Sequence, residues 1–159
     1  MAISLAVLLL PILLIVLLFQ YLGRDTEVVV VDPGPSIAEA ERAGLPVATP
    51  EELSDDWKPT SAVVRRDDGA ITLRIGYVTP SGGFAQVVQS DADAEPLLRR
   101  ELGEGKRPIG TERIRGQAWQ RYPGRKGEAA LVLLEPNRTI LVLGSAPIEE
   151  LRALARALR

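Results

Sequence analysis

The sequence lacks cysteine and histidine entirely and has few aromatic side chains. A chain without these two residues forms no zinc finger, thiol nucleophile, Ser-His-Asp triad or histidine ligand for haem. Its 19 basic and 21 acidic side chains give a net charge of −2. This balance is not typical of proteins that bind nucleic acids, which usually carry a basic excess. We therefore expect no cofactor, no metal, no nucleic acid and no enzymatic activity.

Charge is also missing from the beginning of the chain. Residues 1–22 contain no charged side chain, and residues 3–22 are almost wholly aliphatic, with Pro11 inside the run. Twenty helical residues span about 30 Å, the thickness of a hydrocarbon core. A signal peptide would need a basic start, a shorter apolar run and a small-residue cleavage site, and this segment fits none of these. We predict a retained transmembrane anchor over residues 1–23, with residues 3–22 in the lipid bilayer.

The charges that flank this span say little about its orientation. Arg24 follows the span closely and Arg42 lies further on, whereas the preceding residues offer only the α-amino group. Lys and Arg are enriched on the cytoplasmic side, so these two arginines lean slightly towards a cytoplasmic C-terminal domain. A difference of one or two charges leaves both orientations open.

Residues 24–58 are predicted to form an irregular lead-in, because they combine prolines with an acidic cluster and show little periodicity. The β-branched run at residues 28–31 predicts a short strand. Ser36 is a candidate N-cap for a helix over residues 37–43, which Gly44 would end. We also expect one helical turn at residues 50–53.

Residues 59–159 are predicted to form an α+β domain with an antiparallel sheet of about six strands. Strand patterns and a following helical stripe occur twice, in units 61–102 and 113–158, which suggests two βββα repeats or shared capping chemistry alone. Both helices are expected on one face, with the lead-in on the other. The predicted strands are 61–66, 71–78, 84–89, 113–121, 128–134 and 139–144, and the helices follow Ser90 and Ser145 as N-caps.

Local signals place the turns between these elements. The sequence Asp67-Asp68-Gly69 predicts a tight hairpin, because Asp-Gly tolerates positive φ. Gly103 is expected to end the first helix of the domain. The two strands at 128–134 and 139–144 are apolar on both faces, which indicates a central position in the sheet.

Three segments resemble an actinobacterial family known as Domain of Unknown Function 4245. They are the anchor around Pro11, the run from Trp57 to Ser61, and the run from Gly76 to Gly82; Gly116, Trp119 and the closing helix fit as well. The resemblance implies a single N-terminal span with the domain outside the plasma membrane. It implies no activity. Family members usually carry a basic stretch before the anchor, which this chain lacks. The strand and helix order is also similar to the Mog1/PsbP-like α/β/α sandwich, a likeness of fold alone.

Four residues are candidates for contact with a partner or ligand. Tyr77 and Trp119 are aromatic residues on predicted strands, where they could line a pocket, although ordinary core packing is the favoured explanation for the aromatic residues. Trp119 shares its strand with Arg115 and Arg121, so it is expected to be the more exposed tryptophan. The wider basic cluster, which could meet anionic headgroups or a wall polyanion, is Arg113, Arg115, Arg121, Arg125 and Lys126.

Two further patterns are weaker candidates. The loop at residues 79–83 could present backbone amides to an anion, but a strand rather than a helix follows it, and a simple hairpin loop is favoured. Several acidic pairs could bind calcium, yet their spacing does not match a calcium loop. Capping at helix N-termini accounts for Asp91 and Asp93 better.

Three functions follow from these features. The first is a membrane-anchored accessory or interaction subunit of a membrane or envelope complex that carries out no chemistry. The second is a module that binds a lipid or a cell-wall fragment in a pocket near Trp119 and Tyr77. The third is an Asp/Glu-dependent hydrolase. Such an enzyme needs two carboxylates that converge in a cleft, and nothing in the sequence places two together in this way.

Overall fold

The computed structural model of the chain describes Ile12, residues 28–125 and residues 127–159. The predicted anchor over residues 3–22 therefore lies outside the described residues, apart from Ile12. Within the described part of the chain, no helix combines the length and the apolar character needed to cross a bilayer.

Seven strands and three helices form the described part, so the predicted α+β class is confirmed. The helices are α1 (Gly34–Arg42), α2 (Ala94–Leu102) and α3 (Ile148–Ala157). The strands are β1 (Lys58–Asp67), β2 (Ala70–Val78), β3 (Phe84–Ser90), β4 (Gly110–Ile114), β5 (Gln117–Pro123), β6 (Ala129–Glu135) and β7 (Arg138–Gly144).

All strands join one antiparallel sheet in the order β1-β2-β3-β7-β6-β5-β4. The first three strands form one meander and the last four form another, and the two meet where β3 pairs with β7. Both faces of β6 and β7 are buried, as their continuous apolar pattern predicts. The Asp68-Gly69 turn between β1 and β2 has positive φ at both residues, which confirms the predicted hairpin.

Helices cover both faces of the sheet, and the expectation that the two domain helices share a face is wrong. Successive strand residues point to opposite faces, so neighbours such as Val87 and Val88 belong to different cores. The first face, which includes Val87, packs against α1 and α3, with Leu151 and Leu154 fully buried. The second face, which includes Val88, packs against α2.

This arrangement bears on the two suspected repeats. A rotation that exchanges the antiparallel neighbours β3 and β7 must run perpendicular to the sheet, and such a rotation leaves each face on its own side. Equivalent helices would then share a face, whereas α2 and α3 lie on opposite faces. The order of strands and helix recurs along the chain, but the two halves are not related by this symmetry.

The second half also contains an additional strand. Residues 113–121 were expected to form a single strand, but the chain reverses at Arg115 and Gly116 and forms β4 and β5. Both residues have positive φ, 49° and 82°, which is the geometry of a type I′ turn. Asn or Asp usually occupies the first of these positions, so Arg-Gly gives a weak signal for a turn.

The lead-in is irregular, as expected, but it packs closely against the sheet. Residues 28–31 form no strand, and Val31 makes a single backbone hydrogen bond to Pro59 (2.8 Å). The expected helical turn at residues 50–53 is also absent from this described segment, where Pro50 pairs instead with Leu158. Gln89 fixes the middle of the lead-in, because its side-chain amide accepts from the N–H of Ala48 and donates to its carbonyl, at 2.8 Å each.

None of the three serines predicted as N-caps occupies the N-cap position of its helix. The Ser36 hydroxyl lies inside α1 and donates to the carbonyl of Ala62 on β1. Ser90 ends β3, where its hydroxyl bonds Thr72 and accepts from the N–H of Ala92, so that α2 begins later, after Asp93. At α3 the N-cap is Pro147 rather than Ser145. Gly44 and Gly103, with positive φ, follow the helix ends as predicted.

Candidate functional site

Tyr77 and Trp119 lie on the same face of the sheet but far apart. Tyr77 is on β2 and Trp119 is on β5, with β3, β7 and β6 between them. Four strand spacings separate them, which amounts to about 19 Å. The predicted pocket between these two aromatic residues therefore does not form.

Trp119 is buried, contrary to the expectation that it would be the more exposed tryptophan. Only 1% of its surface is accessible, because α3 crosses this face of the sheet. Its cross-strand neighbour Glu112 accepts a hydrogen bond from Arg152 of α3 at 2.6 Å, which ties β4 to the helix. The sequence pattern does not indicate that α3 covers Trp119, because it predicts β4 and β5 as a single strand.

The half-buried tryptophan is Trp57, and it packs against Tyr77. The two rings meet edge to face, with centroids 6.3 Å apart and planes at 77°. Burial raises the pKa of Tyr77 to about 12. Trp57 also borders an open cleft of about 400 Å³ beside the end of α3, together with Arg115, Glu51, Glu52, Leu53, Ser54, Ala153, Arg156 and Ala157.

The two arginine candidates are separated as well. Arg115 lies in the exposed β4–β5 turn, where its guanidinium donates to the carbonyl of Arg156 (3.3 Å). Arg121 is half-buried near the other end of β5 and pairs in register with Leu131. In the wider basic cluster, Arg125 donates to the carbonyl of Arg100 in the last turn of α2, and Lys126 lies outside the described residues.

The loop at residues 79–83 connects β2 to β3 and fastens the beginning of α3. The amide and hydroxyl of Ser81 both donate to the Glu150 carboxylate, at 3.0 and 2.8 Å. Burial alone would raise the pKa of Glu150, but hydrogen bonds from Thr79 and Ser81 outweigh it and lower the pKa. Gly83 lies so close to Ala146 that a Cβ would come within 2.8 Å of its Cα. The backbone amide of Ser81, which could have bound an external anion, is therefore already hydrogen-bonded to the carboxylate of Glu150.

Several acidic side chains are also engaged within the protein. Glu51 and Glu52 form ion pairs with Arg159, and Asp67 forms one with Arg100. The carboxylate of Asp91 accepts from the N–H of Ile71. Over residues 28–125 and 127–159, no three acidic side chains come together in a group that could hold a metal ion.

A further concave feature of the described residues lies on the second face and includes none of the four predicted residues. We call it the α2 groove: it lies between α2, the loop that follows α2, and the exposed faces of β5 and β6, with a volume of about 630 Å³. Its floor consists of Leu98, Leu102, Tyr122 and Leu134, and its rim of Glu95, Arg99, Glu104, Lys106 and Arg107.

Two glycines shape the loop after α2, which borders the groove. Gly103 and Gly105 both adopt positive φ, 98° and 69°, and they let the chain leave the helix sharply. Leu134 keeps 45% of its surface exposed on the floor, whereas Leu102 is buried. The Tyr122 hydroxyl donates to Gln120 (3.0 Å), and burial raises the pKa of Tyr122.

Sequence reasoning missed this groove for a simple reason. The helix after Ser90 and its end at Gly103 are both predicted, but the helix is expected on the same face as α3. On the second face α2 has no neighbouring helix among the described residues, so one of its sides stays accessible. Tyr122 lies just beyond the predicted strand 113–121, but it belongs to β5.

Comparison with known proteins gives a family but no assigned role. No curated protein matches the chain. The family profile described as a protein of unknown function, DUF4245, matches residues 1–158. That match extends over nearly the whole length, and so the chain belongs to the DUF4245 family.

Proposed function

We propose that the protein is a membrane-anchored, non-catalytic domain that acts as an accessory or interaction subunit of a membrane or envelope complex. Residues 3–22 would anchor it in the plasma membrane by a single span, with the folded domain outside. The observation that carries the proposal is the α2 groove, a large open concavity with an apolar floor and a charged rim. Binding sites commonly combine these two features.

The charges on the rim favour a polypeptide as the occupant. Three basic and two acidic side chains surround the groove, and Glu95 forms an ion pair with Arg99 at 3.4 Å. The rim charges nearly cancel and give a polyanion little net attraction, whereas a peptide segment with charges of both signs can match them. Apolar side chains of such a segment would cover Leu98 and Leu134, as in other helix-in-groove complexes.

A lipid or cell-wall ligand is the second candidate, and the apolar floor favours it. The side chains of Leu98, Tyr122 and Leu134 could hold an acyl chain, and Lys106 and Arg107 could hold a phosphate. A hydrolase has less support, since it needs an acid with a raised pKa beside a second carboxylate. The pKa of Glu150 moves the other way, and its oxygens are engaged by Ser81.

Fold likeness adds a weak argument. Helices on both faces of an antiparallel sheet resemble the Mog1/PsbP-like sandwich, whose members often serve as accessory or binding modules. The resemblance supports a binding role by analogy and does not identify the partner.

The test is affinity purification of the full-length protein from membranes in mild detergent, with mass spectrometry of both proteins and lipids. Leu134→Asp places a charge on the groove floor. Val63→Asp is the matched control, because Val63 lies on the same face in the other half of the sheet and is 46% exposed, against 45% for Leu134.

We expect membrane proteins to co-purify in stoichiometric amounts with the wild-type chain and with the control, and to be lost with Leu134→Asp. Equal retention or equal loss for the two variants would contradict a role for the groove. Co-purification of a defined lipid or glycan without protein would support the second candidate instead.

A further inference from the structure

The lead-in joins the folded domain at one corner of the sheet. Val31 donates its N–H to the carbonyl of Pro59 at the beginning of β1, and the hydroxyl of Ser36 bonds Ala62 on the same strand. The continuous described segment that begins at Val28 therefore starts close to the first residues of β1. Anything that anchors the preceding residues therefore limits how far this corner can lie from the anchor.

The length of the intervening chain sets a limit on that position. Five residues lie between Leu22, the last residue predicted to lie in the bilayer, and Val28. A fully extended chain covers at most about 3.6 Å per residue, so these six steps keep the corner within about 22 Å of the end of the span. That distance is comparable with the headgroup region and the first layers of water beside it.

The same corner exposes apolar side chains. Val29 and Val30 are 77% and 58% exposed, and Phe84 is 41% exposed. Phe84 is paired with Val78, and Val78 with Lys58. Two strand spacings, or about 10 Å, thus separate Phe84 from the strand next to the lead-in. The Phe84 ring lies over Gly76, where a Cβ would come within 3.3 Å of it.

The charges at this corner are mixed. Lys58 is exposed, and so are Asp32, Asp55 and Asp56 from the lead-in. This composition provides no net positive charge that would attract anionic lipids. Contact with a membrane at this corner would depend on the apolar side chains, which favour the boundary between headgroups and acyl chains.

We propose that this corner, defined by Val29, Val30, Lys58 and Phe84, rests on the bilayer surface and fixes the orientation of the domain relative to the membrane. The occupant is the bilayer that holds the anchor, so the inference rests on the membrane anchoring in the proposed function. In this orientation Leu134 and the adjoining part of the α2 groove lie in the other half of the sheet, away from the contact.

The absence of cysteine allows a direct test. Single substitutions Val30→Cys, Phe84→Cys and Leu134→Cys in the full chain are labelled with an environment-sensitive fluorophore and reconstituted into vesicles. The vesicles carry lipids with a nitroxide quencher near the headgroup, in neutral and in anionic composition. Leu134 is the matched control, because its exposure is close to that of Phe84.

We expect the labels at positions 30 and 84 to be quenched about twofold or more strongly than the label at 134, in both lipid compositions. Position 30 lies outside any helix or strand, so it reports even if the change at Phe84 disturbs packing. Equal quenching at all three positions would overturn the proposed contact. Quenching that requires anionic lipid would overturn its apolar character.

Flotation of the same vesicles separates this proposal from the one on which it rests. A chain that does not float with the vesicles is not anchored, which would refute both. A chain that floats but shows equal quenching at the three positions would refute only the corner contact.

Discussion

Replacement of Gln89 by leucine tests how the lead-in is held on the domain. Gln89 is fully buried and makes two hydrogen bonds of 2.8 Å to the backbone of Ala48, which is itself 3% exposed. Leucine can neither donate nor accept, so the N–H and the carbonyl of Ala48 would remain buried without their partner. We expect Gln89→Leu to release the lead-in and to destabilise the protein.

The magnitude follows from these contacts. Each stranded backbone group costs about 1–3 kcal/mol, and burial of the leucine side chain returns about 2 kcal/mol. The net loss is about 2 kcal/mol, equivalent to a fall of about 4–8 °C in Tm for a chain of this size. We expect the loss of structure to be confined to the segment around Ala48. The backbone hydrogen bonds that Thr49 and Arg159 exchange hold the chain next to this segment.

Thermal unfolding and hydrogen exchange of the full chain in detergent measure both effects. Gln86→Leu is the control, since Gln86 lies on the same strand but points to the second face and is only half-buried. We expect faster amide exchange at residues 45–51 for Gln89→Leu alone. The reasoning fails if the two variants share one Tm, or if exchange in that segment does not change.

Three further predictions concern local geometry and protonation. Arg115→Asn should stabilise the protein by roughly 0.5–1 kcal/mol, because Asn tolerates the positive φ of this turn better, and an unchanged or lower Tm would contradict that. Glu150→Gln should lower the Tm at neutral pH. Because the pKa of Glu150 is lowered on folding, the difference in Tm from wild type should shrink as the pH falls through that pKa. A difference in Tm that does not change with pH would refute the role of the charge. The phenolate absorbance of Tyr77, identified by its loss in Tyr77→Phe, should appear only as the pH approaches about 12. Because its pKa is raised from 10.0, Tyr77 contributes stability that is complete below pH 10 and is lost as the pH rises. Titration of Tyr77 near pH 10 would contradict its burial.

The sequence predicts the local elements well where a local signal exists. Asp68-Gly69 marks its hairpin, and Gly103 follows the end of α2. The apolar residues of β6 and β7 place these strands in the interior of the sheet. Each of these features depends on a few neighbouring residues whose conformational preferences agree with the fold.

What the sequence does not predict depends on tertiary contacts. The face on which α2 packs is decided by the path of the chain after Ser90, and both faces of β7 are apolar enough to accept a helix. Trp119 is buried because α3 covers it, and nothing in its own strand indicates this. The α2 groove was missed because it combines residues from a helix, a loop and two strands.

The pairing of β3 with β7 has a consequence for the order in which the protein is made. β3 lies in the first half of the domain, but its partner β7 is the last of the described strands to be synthesised. Until β7 is synthesised, the backbone groups of β3 that pair with it have no partner. An unpaired strand with apolar side chains such as Val87 and Val88 is prone to pair with other chains. The central pairing is also long-range, which slows folding. The nascent first half is therefore the stage at which we expect the chain to depend most on a chaperone or on rapid completion of synthesis.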